Sequence, residues 1–486
     1  MGKRLIGLDY GRGLAIMGLL FTHSIMGSIT HWNIDILFDL AGKIPVALVA
    51  ILLAPVAILG MMGSLFSFAT AICVTLSSIK IHAKGWKYLI QYCVMKMVFA
   101  FILKGLEDFW SQVCSGYNIF RSGKLEFPTV YIFYWAHTLD DVGFFSWSVP
   151  LLVAAVTSIP KMHYYGHMAI LTVLAVVLLY FNQYFVEWFK ILAEFSKEKE
   201  FYLFYYLFMK CADGAFAIAQ YFPFGILGGA YGLMMSKTRD FKVYWTYTGI
   251  LSFILLLGFI RFVPFEEDIV SRAFGWIKPN CFLFLMGIIQ SIAVIICLHF
   301  TDNPKRDINK RYSAIKKTAF LRRINCLSLT AYVVDRGYND LIYRIFKLFF
   351  GPGADYDNKT FLWPWYLALL YMIVCVWVWC IIVKLWEKIE FRFCVEAQLS
   401  AIMCWLFNQP YNKMDYKTAI YGPINEIQQE IEAMNQNQQD VEEGLEQEIP
   451  PSTEVSKPYE SNQPIEPVNI TEPAASVAPV TKEENV

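Results

Sequence analysis

Long apolar runs separated by short polar connections dominate the chain, and the runs set its architecture. Ten of them are long enough to cross a bilayer as helices, near 12–30, 45–77, 88–104, 129–157, 165–188, 203–235, 243–260, 279–299, 326–350 and 363–386. One crossing takes about 20 apolar residues at about 1.5 Å of rise each. The runs 45–77 and 203–235 exceed that, so tilting, kinking or a break is expected in both. The pattern predicts an all-α fold, a polytopic transmembrane helical bundle of about ten spans. It stops near residue 408, where Gln, Glu and Pro take over and aromatics thin out. Such a segment cannot bury enough apolar surface to offset the entropy of ordering it. Residues 1–407 are therefore read as the helical membrane domain and 408–486 as an acidic, Pro/Gln/Glu-rich tail, mostly disordered. A short amphipathic helix is expected within it at 423–434, where Ile424, Ile427 and Ile431 recur at helical spacing.

Composition narrows the class. Aliphatic and aromatic residues make up 56% of the 486 residues and charged residues only 17%, a balance that excludes an ordinary soluble domain. The first apolar run is too long for a cleavable signal peptide and is expected to be retained. A formal net charge of zero hides an asymmetry: from Pro423 onward there are 14 acidic residues and two lysines, so the preceding body carries about +12. Positive charge marks the cytoplasmic side. The stretch 301–325, with Lys305, Arg306, Lys310, Arg311, Lys316, Lys317, Arg322 and Arg323, is placed there. Counting spans back brings Lys3 and Arg4, the Lys80/Lys84/Lys87 turn and the Lys237/Arg239/Lys242 turn to the same side, with both termini cytoplasmic. A loop at 189–200, holding three lysines, falls on the other side. The 11 cysteines lie mostly within apolar runs and read as small buried hydrophobes, with no metal-binding spacing among them.

Ionisable groups in hydrocarbon are costly, and usually face a cavity or the bundle interior. Arg12 and His23 stand eleven residues apart, close to three helical turns, so they share one face at an axial separation of roughly 16 Å. A cation at the mouth and an imidazole deeper in can hold a phosphate-bearing donor and move a proton. Asp9, one turn before Arg12, is placed to steady the guanidinium. His31 follows the first span within Thr30-His31-Trp32-Asn33. Asp140 and Asp141 open the fourth span, where a helix N-terminus favours carboxylates. Further on come Asp213-Gly214, Gln220 and a Gly-rich stretch from Pro223 to Gly229, in which the glycines read as close helix packing. The ninth run carries Ser328, Tyr332, Asp335, Arg336, Asp340 and Arg344, where Asp335–Arg336 and Asp340–Arg344 are expected as internal ion pairs. Walker, dinucleotide, HExxH and GxSxG patterns are missing in any usable context, so the Ser, Cys and Thr nucleophile classes have no support.

The opening Asp9-Tyr10-Gly11-Arg12-Gly13-Leu14-Ala15, with His23 eleven after the arginine, resembles the transmembrane acyltransferase superfamily. Arg12 and His23 match its type 3 branch. His31 stands where the heparan-alpha-glucosaminide N-acetyltransferase branch has its working histidine. Leu139-Asp140-Asp141-Val142-Gly143, the Pro223-Phe224 helix and Ser328/Tyr332 add weaker matches, with Asp335 where the type 3 pattern often has histidine. The resemblance implies transfer of an acyl group, commonly acetyl, from acetyl-CoA or another acyl-CoA to a hydroxyl or amine of a sugar or glycoconjugate. His23 or His31 would be catalytic, with Arg12 and Asp9 on the donor and Asp140, Asp141 and Asp335 lining substrate or serving structure. Gly13 and Gly18 would leave room for a pantetheine-like arm. Membrane lipid, donor and acceptor are the partners implied, with no metal and no nucleic acid. Two other readings use the same residues: a transporter with a buried polar path, and a non-catalytic membrane scaffold.

Overall fold

A computed structural model describes residues 5–45, 63–122, 136–214, 216–265, 278–408 and 415–447. Helix α1 (Ile6–His23) continues without a break into a π-helical turn (Ser24–Ile29), followed by α2 (Ile34–Lys43). Then come α3 (Gly63–His82), α4 (Trp86–Ser122), α5 (Thr138–Thr157), α6 (Tyr164–Tyr180), α7 (Asn182–Glu198), α8 (Tyr202–Ala212), α9 (Ile218–Lys237) and α10 (Phe241–Phe262). The remainder is α11 (Asn280–Asp302), α12 (Ile308–Lys317), α13 (Ala319–Asn325), α14 (Ser328–Phe350), α15 (Trp365–Lys388), α16 (Val395–Leu406) and α17 (Tyr416–Gln447). A two-residue antiparallel hairpin, β1 (Ala354–Asp355) and β2 (Thr360–Phe361), sits between α14 and α15.

The fold is helical, and its long apolar helices make it a membrane protein. Among the described residues seven helices are long and apolar enough to cross a bilayer: α1 with its π turn, α3, α4, α5, α10, α11 and α15. Helices α6 and α7, bent by 69° at Phe181, make an eighth if taken as one span. The stretch expected as a loop at 189–200 is thus mostly helix. Two further apolar runs fall below that threshold. Gly225, Gly228, Gly229 and Gly232 dilute α9, and Asp335, Arg336, Asp340 and Arg344 charge α14. The break expected in 203–235 lies at Asp213-Gly214. Gly214 has φ +110°, and a β-carbon there would fall 2.5 Å from the Ala136 carbonyl oxygen. For 45–77, residues 46–62 lie outside the described ones.

Helix α1 is the hub, packing against α3, α11, α13, α14 and α15. Its approach to two of them needs glycine. A β-carbon on Gly7 would sit 2.6 Å from Leu298 Cα, and one on Gly13 would enter the Leu321 backbone. The room expected beside Gly13 for a donor arm is therefore filled by α13. Asp302 fixes the start of the helix by accepting from Ile6 N at 3.0 Å and Gly7 N at 2.7 Å, two donors a helix terminus leaves open. Gly13→Ala is expected to lower stability by about 1–3 kcal/mol through overpacking, read as a lower denaturation midpoint in detergent.

The glycines of α9 do the packing the sequence suggests, letting Gly228 approach the Phe68 carbonyl and Gly232 approach Thr75 on α3. Helices α4 and α10 bury little of their length, and α10 turns Ile250, Phe253, Leu257 and Ile260 outward, as a lipid-facing helix does. One end of the bundle is closed by a second apolar cluster. It joins Ile25 and Ile29 of the π turn, Ile36 and Leu40 of α2, Tyr343 of α14, and Phe361, Trp363 and Tyr371 around the hairpin.

The chain forms two compact units, Met1–Ile431 and Glu432–Val486. The first thus extends past the compositional change near 408. Ile427 of α17 is buried with Ile6 and Ile315, and Ile424 and Ile431 pack on the same cluster. That apolar stripe gives an otherwise polar segment enough surface to dock, and the helix is longer than the predicted 423–434. Residues 448–486 lie outside the described ones. Arg322, 1% exposed, holds the segment. Its Nε and Nη2 donate to the Ile420 carbonyl at 3.1 and 3.0 Å, and Nη1 donates to the Ile315 carbonyl at 2.9 Å. Arg323 adds bonds to Glu387 at 2.6 Å and to the Tyr421 hydroxyl at 2.7 Å, while that hydroxyl donates to Glu387 at 2.8 Å. Burial pulls the Arg323 pKa down, but its bonds to Tyr421 and Glu387 outweigh this and raise it. Arg322, counted among the basic residues that place 301–325 on the cytoplasmic side, is buried and acts as an internal clamp.

Candidate active site

Because α1 is unbroken from Ile6 to His23, Arg12 and His23 share the face that the spacing required. Their partners come from elsewhere in the chain. His23 Nδ1 lies 2.5 Å from Asp335 Oδ2, joining α1 to α14 across 312 residues of sequence. The Asp335 side chain is 8% exposed and that of His23 is 33% exposed, so the carboxylate is sealed while the ring has an open edge. Trp32 meets the ring edge-on with centroids 5.2 Å apart. Among the described residues Nε2 has no partner. An ionised carboxylate at this distance holds the proton on Nδ1 and leaves Nε2 as the basic nitrogen.

Asp335 is thus engaged with His23, and the expected Asp335–Arg336 pair falls on a side chain outside the described ones. The other expected pair is present, with Arg344 Nε donating to Asp340 Oδ2 at 3.0 Å. His23 is also the last α-helical residue before the π turn. Such turns widen a helix by one residue per turn and re-aim its side chains, often at functional sites.

The Arg12 guanidinium stacks over the Phe66 ring of α3 at 4.6 Å, and its Nε is buried without a hydrogen-bond partner among the described residues. Tyr332 of α14 packs on the same ring, centroids 5.3 Å apart, with its hydroxyl beside Thr138 and within charge range of Arg12, Asp141 and Asp335. A contiguous file thus runs Arg12, Phe66, Tyr332, Asp335, His23, Trp32, with Tyr332 and Asp335 one turn apart on α14. Phe66 and Trp32 were not singled out by sequence. Trp32 had a signal, its place beside His31, whereas Phe66 is one of 39 phenylalanines and had none.

The other site residues separate. Asp9 accepts from Asn325 Nδ2 at 3.0 Å. His31 lies on the exposed turn after the π segment, at φ 49°, its ring edge-on to Tyr356 at 4.8 Å. Asp140 caps α5 by accepting from His137 N at 2.8 Å and is paired with Lys210 Nζ at 2.9 Å, a structural role. Asp141 is fully buried, with neither carboxylate oxygen bonded among the described residues, and Cys211, Tyr221 and Tyr332 lie within its charge range. Gln220 is also fully buried, and its Oε1 accepts from Lys278 N at 3.0 Å, a packing role. Sequence reasoning missed Glu396, which sets the start of α14. Its Oε1 accepts from Leu329 N at 2.7 Å and Thr330 N at 3.2 Å, while Thr330 Oγ1 donates to Oε2 at 2.5 Å. Burial raises the Glu396 carboxyl above the ordinary range, against the lowering pull of those bonds.

No family model matches the chain, and neither does any curated protein or solved structure. The functional reading rests on the geometry. Among the described residues no cluster of His, Cys, Asp and Glu is arranged to hold a metal ion. A carboxylate-held imidazole with one free nitrogen, set along a helix from a partly unpaired guanidinium, can take a proton at one end and bind an anion at the other.

Proposed function

We propose that the protein is a membrane-embedded acyltransferase that moves an acyl group, commonly acetyl, from an acyl-CoA to a hydroxyl or amine of a sugar or glycoconjugate. The observation that carries this reading is the His23–Asp335 pair on the face shared with Arg12. In the proposed step His23 Nε2 takes the proton from the acceptor O–H or N–H as the oxygen or nitrogen attacks the thioester carbonyl. The C–S bond breaks, and the imidazolium returns the proton to the departing thiolate. Asp335 orients the ring and stabilises its cationic form, and Arg12 holds a donor phosphate. The resemblance of Asp9–Ala15 with His23 to the transmembrane acyltransferases supports the same assignment, with His23 rather than the exposed His31 in the catalytic place. Purified protein incubated with acyl-labelled CoA tests it: label should pass to added sugar or glycolipid acceptors and not to water alone.

One observation favours the transporter reading. Asp141 is buried with no hydrogen-bond partner among the described residues near the break between α8 and α9, the kind of group and helix interruption that line substrate paths. Uptake of labelled solute into proteoliposomes without acyl transfer would decide for it.

We also infer ten crossings with both termini in the cytoplasm. The seven long helices, the α6–α7 pair, α9 and α14 supply them, and the basic segments fix the side. The hairpin then faces outward, with Asn358 of Asn358-Lys359-Thr360 exposed at its turn. In a glycosylating host Asn358 should carry glycan, and Asn469 of Asn469-Ile470-Thr471 should not. Glycan on Asn469 alone would reverse the orientation.

A further inference from the structure

Away from α1, the ends of α3, α5, α6 and α9 enclose a cavity of about 290 Å³. Its walls are mostly apolar, with Ile79, Met162 and Leu233 among them, and its polar lining includes His82, His167 and Lys237. His167 is buried, its Nε2 3.4 Å from the Ile159 carbonyl, and His82 stands edge-on to Trp86 at 4.9 Å. Lys237 is exposed and has no carboxylate partner among the described residues.

The charge around the cavity is one-sided. Segments 79–87, 157–167 and 233–242 together hold seven Lys or Arg residues and a single carboxylate. That carboxylate, Asp240, is engaged elsewhere, accepting from Lys242 N at 3.1 Å and pairing with Lys305 Nζ at 3.7 Å. A rim rich in lysine and arginine over an apolar chamber at helix ends suits an amphiphile with an anionic head. Histidine and lysine donors without acids suit phosphate, which brings several acceptor oxygens and up to two negative charges.

We propose that this cavity binds a phosphate monoester, held by Lys237 and His82 at the rim, with the carbon skeleton of the ligand against Ile79, Met162 and Leu233. The proposal does not depend on the acyltransferase reading, since none of these residues belongs to the Arg12–His23 file. The shared chemistry has two sources, a phosphatidic-acid headgroup from the bilayer or a soluble phosphate monoester.

Full-length protein reconstituted in phosphatidylcholine vesicles, with and without phosphatidic acid, tests it by mass spectrometry of lipid retained per protein. Phosphatidic acid should be retained selectively. Retention should fall about fivefold in Lys237→Gln, which removes one lysine charge near an anionic head, and further in Lys237→Gln with His82→Gln, which also removes a ring hydrogen-bond donor. Ala83→Trp, which fills the chamber without changing charge, should abolish it. Glycerol 3-phosphate that displaces the lipid and binds alone with similar strength assigns the soluble source, while failure to compete assigns the lipid. Equal retention of phosphatidylcholine, or retention untouched by Ala83→Trp in protein with a wild-type melting transition, overturns the proposal. If that variant does not fold, Lys237→Gln decides alone, and unchanged retention there overturns it equally.

Discussion

Replacing His23 by Gln is expected to reduce acyl-transfer turnover about a hundred- to ten-thousand-fold while expression and thermal stability stay near wild type. Glutamine keeps a polar side chain of similar reach but loses the imidazole nitrogen that accepts the proton. Asp335→Asn should cause a loss of the same order. The amide can accept through its oxygen or donate through its nitrogen, so it no longer enforces the tautomer with a free basic Nε2, nor does it offset the imidazolium charge. Together the two changes should cost little more than either alone, because both disable one proton-transfer unit. Arg12→Lys should act differently. Lysine keeps the charge but loses the planar fork and its stacking on Phe66, so KM for the donor should rise with a milder change in kcat. Rate measurements on the purified variants decide. If His31→Gln abolishes transfer while His23→Gln does not, the base is on the exposed turn and the paired histidine is structural. If neither histidine variant loses activity, the proton-transfer scheme is wrong.

Removing the Arg322 side chain is expected to be the most damaging change outside the site. Its guanidinium is 1% exposed and donates to the Ile420 and Ile315 carbonyls, joining α17 to α12 and α13. Hydrogen bonds from charged donors contribute about 1.5–3 kcal/mol each, and a buried carbonyl left unpaired costs about 1–3 kcal/mol. Arg322→Met, of similar length but without donors, should therefore destabilise the packed segment 416–431 by about 3–5 kcal/mol. Limited proteolysis should cut that segment rapidly in the variant and slowly in wild type. Arg322→Lys should be only partly better, since one ammonium cannot serve both carbonyls with the same geometry. Equal protection in all three proteins would show that the isoleucine stripe alone holds the helix.

The readings that survived from sequence are those that depend on local periodicity. Apolar runs of about twenty residues located the helices because hydrocarbon solvates side chains and leaves the backbone no partner but itself. The eleven-residue spacing put Arg12 and His23 on one face because a helix repeats every 3.6 residues, whatever surrounds it. The glycines of α9 read as close packing for a similar reason, since a residue without a β-carbon in an apolar run has few other uses there. Helical spacing of Ile424, Ile427 and Ile431 likewise pointed to a helix in the polar tail, and that stripe carries the packed unit on to Ile431.

What tertiary structure alone decided was partnership. The Asp335 carboxylate bonds a histidine 312 residues away, a partner that helix packing chooses and sequence distance cannot show. Arg322 stands in a basic stretch that reads as solvent-exposed, but the docking of α17 buries it and converts a topology signal into a clamp. Gly13 reads as free space beside α1 until α13 fills it. Asp140 and Asp141 are adjacent and chemically identical, and about 100° of helical rotation separates a capping, lysine-paired carboxylate from one with no bond among the described residues. In each case the sequence supplies the group and its local direction, and its energy depends on distant segments that only the assembled bundle brings into contact.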